Sequence, residues 1–125
     1  MTDKRITILV VDDEPAVCQL IAGLFTAAEF SVQTAKDGVT ALRLIDDPSA
    51  DIDILLVDVA MPRLNGPELV RAVLSHHPDI KIIFMSGYPS DVLEQYGNWT
   101  SSILYIKKPF TPDTLMRAVR NVLGR

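Results

Sequence analysis

The sequence predicts an α/β domain: a doubly wound parallel sheet of five strands with helices on both faces. Three observations predict it. Five short apolar runs rich in β-branched residues recur along the chain. Segments of helical periodicity separate most of them. Polar residues with turn or capping chemistry stand where the runs end. Strands alternating with helices build right-handed crossovers around a parallel sheet covered on both sides.

The first run, Ile6-Thr7-Ile8-Leu9-Val10-Val11, is almost unbroken, as expected of a strand buried on both faces. Pro15, after Asp12-Asp13-Glu14, suits a first helical turn, and Val17, Leu20, Ile21, Leu24 and Phe25 form the apolar stripe of that helix. Cys18 sits beside the stripe as a small core or boundary residue. Ser31–Ala35 is a short second strand, and Asp37-Gly38 opens a helix through Ala41, Leu42 and Ile45. The stretch from Asp46 to Asp51 has loop composition. Ile54-Leu55-Leu56-Val57 is the third strand and ends at Asp58. Gly66-Pro67-Glu68 starts a helix carrying Leu69, Val70, Val73 and Leu74. His76-His77-Pro78 ends it, the histidines favoured by the helix dipole and Pro78 stopping the chain. Ile80–Met85 is the fourth strand, closed by Ser86-Gly87, and Pro89-Ser90-Asp91 begins a short helix stopping near Gly97. Ile103–Ile106 is the fifth strand. Thr111-Pro112-Asp113 caps a last helix through Leu115, Ala118, Val119 and Val122.

Composition narrows the function. A chain of 125 residues makes one domain, expected to span 1–125. Hydrophobic residues are 48% and charged residues 22%, the balance of a soluble globular protein. No apolar stretch is long enough for a membrane span or built like a secretory signal. A net charge of −4 argues against nonspecific DNA binding, and no DNA-binding output is expected within these residues. The single Cys18 cannot form an internal disulfide, so a cytoplasmic setting is expected.

In such sheets chemistry gathers at the carboxyl ends of the strands. Asp12 and Asp13 follow the first strand, Lys36 and Asp37 the second, Asp58 the third, Ser86 the fourth and Lys107-Lys108-Pro109 the fifth. Each has a plainer reading. Asp12-Asp13 could cap a helix, Asp58 and Ser86-Gly87 could be turn residues, and Lys108 could be a solvated charge. Their coincidence at one sheet edge outweighs those readings. Clustered carboxylates repel unless a cation compensates, and Mg²⁺ prefers such oxygen ligands; Mn²⁺ is an alternative. Asp13 and Asp58 suit this ion, with Asp12 one shell further out. Asp58 then becomes a plausible nucleophile toward phosphorus, while Lys108 and Ser86 each hold a phosphoryl oxygen. No strong general base is evident, so the donor must bring activated phosphorus, as a phosphohistidine does.

These residues resemble the receiver (response regulator) family of two-component signalling, over nearly the whole chain. The motifs are Val10-Val11-Asp12-Asp13-Glu14-Pro15, Leu56-Val57-Asp58-Val59-Ala60-Met61-Pro62 with Asn65-Gly66, Met85-Ser86-Gly87 and Lys107-Lys108-Pro109-Phe110. The resemblance implies a flavodoxin-like strand order 2-1-3-4-5 with five helices. It also implies a switch rather than a turnover enzyme. Asp58 would be the phosphoacceptor, and Asp12, Asp13 and the backbone carbonyl of Ala60 would join it in holding Mg²⁺. Ser86 would be the switch hydroxyl, Lys108 the phosphate-reading lysine before a cis Lys108-Pro109 bond, and Tyr105 the switch aromatic. Ala60 and Tyr88 would tune the phosphoryl lifetime, here toward a moderately long-lived species. The partner would be a histidine kinase or histidine phosphotransfer protein.

All three tyrosines and the sole tryptophan lie between residues 88 and 105. This clustering fits a partner or dimer face over 88–110 using Leu93, Tyr96, Trp99 and Tyr105, or equally a thin core beside a weak helix. Haloacid-dehalogenase-like phosphatases also use an aspartate nucleophile, but in an Asp-x-Asp pattern after the first strand; Ala60 stands two past Asp58. A flavodoxin-like cofactor module needs a Ser/Thr/Gly loop where this chain has Asp12-Asp13-Glu14. Three settings fit a receiver: a stand-alone regulator or shuttle, part of a transcription regulator, or the receiver of a hybrid kinase, which the phrase Phe84-Met85-Ser86-Gly87-Tyr88 resembles.

Overall fold

The computed structural model describes residues 5–59, 61, 65–87 and 103–124. Five strands, β1 (Thr7–Val11), β2 (Ser31–Ala35), β3 (Ile54–Asp58), β4 (Lys81–Ser86) and β5 (Ile103–Lys107), form one sheet in the order β2-β1-β3-β4-β5. Every neighbouring pair is parallel. The helices are α1 (Pro15–Ala27), α2 (Gly38–Asp46), α3 (Gly66–His76) and α4 (Pro112–Val122). Four helices are therefore seen among the described residues. The further helix expected from Pro89 to Gly97 lies outside them, as do Ala60, Tyr88, Leu93, Tyr96 and Trp99.

The apolar strands are explained by their two faces. Along β1, Ile8 and Val10 pack on one side with Cys18, Ile21 and Phe25 of α1 and with Leu115, Ala118 and Val119 of α4. Leu9 and Val11 pack on the other with Ala41 and Ile45 of α2 and with Leu69, Val70 and Val73 of α3. β3 divides the same way, so no residue of β1 or β3 is left to solvent. Edge strand β2 is only partly covered except at Ala35, which is why its sequence is more polar. Among the described residues no helix is long and apolar enough to cross a membrane.

Local signals place the helix starts. Asp37 accepts from the Thr40 N–H at 2.7 Å to begin α2, and the Thr111 side chain accepts from Thr114 N–H at 3.1 Å to begin α4. Asn65 and Glu68 form a reciprocal capping box at α3. The α1 stripe needs one correction. Leu20 is 63% exposed, whereas Cys18 is buried with Ile21 and Phe25. The packed face is centred on 18, 21 and 25, one residue's rotation from the 17–20–24 line, which puts Leu20 at its outer edge.

After β1 the chain goes to β2 on one side and returns to β3 on the other. The loops at the carboxyl ends of β1 and β3 thus diverge, opening a crevice at the switch of strand order. Asp12, Asp13 and Asp58 stand there.

Candidate functional site

Asp12 follows β1 directly, its N–H donating to Ala35 O of β2 at 3.1 Å. Its side chain is fully buried. One oxygen, Oδ1, accepts from the Glu14 N–H at 2.9 Å and so steadies the turn into α1. The other, Oδ2, accepts from Lys108 Nζ at 2.8 Å. Asp12 therefore serves local capping and the site at once. Asp58, the last residue of β3, is only 7% exposed, and its Oδ2 is 3.3 Å from Lys108 Nζ. Asp13 is exposed at the mouth. Carboxylate oxygens from Asp12, Asp13 and Asp58 all lie within 4.8 Å of one another.

Lys108 owes its position to β5 and its continuation: its N–H donates to Ser86 O at 2.8 Å, which ties the end of β5 to the end of β4. Burial pulls its ammonium toward neutrality, but the hydrogen bond to Asp12 and the charges of Asp58 and Asp12 outweigh that, and the pKa rises above its ordinary 10.5. The Lys108-Pro109 bond is cis. Ser86 is buried at the end of β4, one residue beyond Met85, the register partner of Asp58. Tyr105, on β5 opposite Phe84, stacks on that ring with centroids 5.7 Å apart and planes 10° from parallel.

Three carboxylates and one ammonium leave a formal excess of two negative charges in a half-enclosed crevice. A hard divalent cation matches that excess, and the donor set is all oxygen, as such an ion prefers. A 4.8 Å maximum spacing is slightly wider than two ligands on one ion with bonds of ~2.1 Å. A small side-chain rotation, or one bridging water, would close the difference. The residues fit a metal.

A model of the response regulator receiver domain matches residues 8–120. The chain belongs to the response regulator receiver domain family. This receiver is 34% identical over 119 residues to the sensor kinase CckA of Brucella abortus, covering 95% of this chain and 13% of that protein. It is 31% identical over 118 residues to the response regulator SaeR of Staphylococcus epidermidis, covering 94% of this chain and 50% of that one. It superposes on the solved chemotaxis protein CheY4 of Vibrio cholerae with a TM-score of 0.84 at 30% identity, covering 95% of this chain and 99% of that chain. The receiver thus spans half or less of the curated relatives but nearly all of the chemotaxis protein.

The strands therefore bring Asp12, Asp13, Asp58 and Lys108 together and set Ser86 on the same edge. Tyr105 lies one strand further, on the face covered by α2 and α3. What sequence reasoning missed is the direct Lys108–Asp12 bond, since nothing in the order of residues says which acid a distant lysine reaches. It also missed how closely Gly66 approaches Asp58; the only signal was an Asn-Gly-Pro helix start just after β3.

Proposed function

We propose that this receiver accepts a phosphoryl group on Asp58 from a phosphohistidine of a histidine kinase or phosphotransfer protein, with Mg²⁺ held by Asp12, Asp13, Asp58 and the Ala60 carbonyl. One observation carries this reading: a buried carboxylate at a strand end, 3.3 Å from an ammonium and clustered with two further acids. A bound Mg²⁺ supplies charge neutralisation between the acids and the incoming phosphoryl oxygens.

The chain's own groups do the rest. An Asp58 carboxylate oxygen forms the new bond to phosphorus as the donor's phosphorus–nitrogen bond breaks. The imidazole leaves with that electron pair, its other ring nitrogen already carrying a proton, so the chain need supply none. Lys108 exchanges part of its contact with Asp12 for a phosphoryl oxygen, and Ser86 donates to another. The new group adds about −1.5 to −2 charges. Its pull on Ser86 and Lys108, which are bonded through the backbone, is transmitted to β5 and so to Tyr105, the reading surface. The partner or dimer face would extend over 88–110 through Leu93, Tyr96 and Trp99.

The acyl phosphate is moderately long-lived, because Ala60 offers no side chain to position water and Tyr88 can screen the site. Residues 1–125 act as one phosphoacceptor switch, not a turnover enzyme, in the cytoplasm. The same unit is most of a chemotaxis protein and a small part of a sensor kinase. This breadth supports either a single-domain regulator or the receiver of a hybrid kinase.

The test is incubation with Mg²⁺ and acetyl phosphate, with Asp58→Asn as control. An acid-stable, hydroxylamine-labile label that survives desalting is expected in wild type alone. Equal labelling of Asp58→Asn would refute the acceptor, and loss of label before desalting would refute the long lifetime.

A further inference from the structure

Gly66 opens α3, eight residues past Asp58, and is buried. A Cβ on it would lie 2.6 Å from Asp58 O, 2.9 Å from Val59 Cα and 3.2 Å from Asp58 C. All three are backbone atoms, and the first distance is closer than real carbon–oxygen contacts allow. A clashing side chain can change rotamer; a backbone cannot. The approach is also held by a bond, from Gly66 N–H to Val59 O at 3.1 Å.

Neither partner has room to retreat. Asp58 is paired with Met85 across to β4, and the Val59 N–H donates to Met85 O at 3.0 Å. On the other side, α3 is anchored by fully buried Leu69, Val70 and Val73, and its start is fixed by the Asn65–Glu68 capping box. A methyl group at 66 must move the end of β3, the start of α3, or both. Lys108 meets Asp58 and Asp12 within 3.3 Å, so a displacement of this backbone is passed directly to the acid cluster.

We propose that Gly66 is a positioning residue for Asp58: its missing Cβ lets α3 close onto the strand end and holds the Asp58 carboxylate in register with Asp12, Asp13 and Lys108. The proposal rests on Asp58 being the phosphoacceptor. It does not require Gly66 to touch donor or metal.

The experiment compares Gly66→Ala with Gly23→Ala, an exposed α1 position where a Cβ meets nothing within 4 Å. Labelling by acetyl phosphate is followed below both melting temperatures, together with the Mg²⁺ concentration giving half-maximal rate. Gly66→Ala should label about 10- to 100-fold more slowly, the cost of misplacing a reacting group by an ångström or less, and need more Mg²⁺. Gly23→Ala should match wild type. A merely structural glycine would lower the melting temperature and leave both readouts unchanged, and that result would overturn the proposal.

If Gly66→Ala does not fold, Asn65→Ala, which slackens the start of α3, is set against Asp37→Ala, which removes the corresponding cap of α2. Slower labelling in Asn65→Ala alone supports positioning; equal rates overturn it. Wild type lacking an Asp58-dependent label would sink the acceptor reading and this proposal with it, whereas a labelled wild type with an unaffected Gly66→Ala sinks only the proposal.

Discussion

Lys108 Nζ donates to Asp12 Oδ2 at 2.8 Å across 96 residues of chain, joining the loop after β5 to the end of β1. The Asp12 side chain is fully buried while that of Lys108 is 24% exposed, so the acid depends on the lysine more than the reverse. Removing one partner of a buried pair costs about 3–5 kcal/mol. Solvent reaches Lys108, so Lys108→Met should cost roughly 1–3 kcal/mol. Mg²⁺ held as proposed would give the stranded acids another counter-charge, and its stabilising increment should be larger in the variant. Urea unfolding with and without Mg²⁺ checks both, and unchanged stability in the metal-free variant would show the bond to be idle.

Tyr105 provides a prediction in alkali. Burial against Phe84 pushes its phenol above the ordinary 10.0. With the folded pKa above the unfolded one, the folded state holds the proton more tightly. This contribution is complete below pH 10 and is lost as pH rises through the folded pKa. Wild type should therefore lose stability above pH 10 more steeply than Tyr105→Phe. Phenolate absorbance should show a late-titrating tyrosine that is missing from the variant; identical titration tails would contradict it.

Helix α1 separates two neighbouring leucine-class residues. Ile21 is fully buried between β1 and α4, and Leu20 is 63% exposed. Ile21→Ala should cost about 2–5 kcal/mol and Leu20→Ala roughly 0.5 kcal/mol or less. Comparable losses in chemical denaturation would mean that the helix is rotated from the orientation described.

The same pair shows where the sequence is legible. β1, β3 and β4 were readable because strands covered on both faces must be apolar throughout, and the acids were readable because the end of each strand is where that pattern breaks. Which edge of the α1 stripe meets the sheet was not. Around the helix axis Cys18 and Leu20 lie on opposite sides of Ile21, and only the position of β2 and α4 chooses between them. The strand order came from family resemblance, since alternation alone permits others. His76 and His77 were expected to act on the α3 end. His76 does approach Ala72 O at 3.3 Å, but His77 also reaches Asp46 at the end of α2, at 3.0 Å. Pairings such as His77–Asp46, Lys108–Asp12 and Gly66–Asp58 exist only after the chain has folded, and no local pattern encodes them.

Cys18 offers a probe of the site from beneath. Its thiol donates to Asp12 O at 3.4 Å and lies 3.9 Å from Ala35 O. Burial, then the Asp12 charge, pushes it above its ordinary 9.0. The nucleophile in disulfide exchange is the thiolate, and here both access and charge oppose it. Native protein at neutral pH should react with a disulfide reagent on the order of a thousandfold more slowly than urea-unfolded protein, equivalent to about 4 kcal/mol for opening α1. The raised pKa has a second consequence: stability is undiminished by this group below pH 9 and falls as pH rises through the folded pKa. On the proposed reading of Asp58 as the acceptor, Mg²⁺ with beryllofluoride, a stable phosphoryl mimic, should slow labelling further, because a ligand held by Asp12 and Asp58 would stabilise only the closed state. Fast labelling of native protein would place the thiol at the surface. Slow labelling indifferent to Mg²⁺ and beryllofluoride would instead leave Cys18 buried but uncouple the Asp12 backbone from the occupancy of its carboxylate.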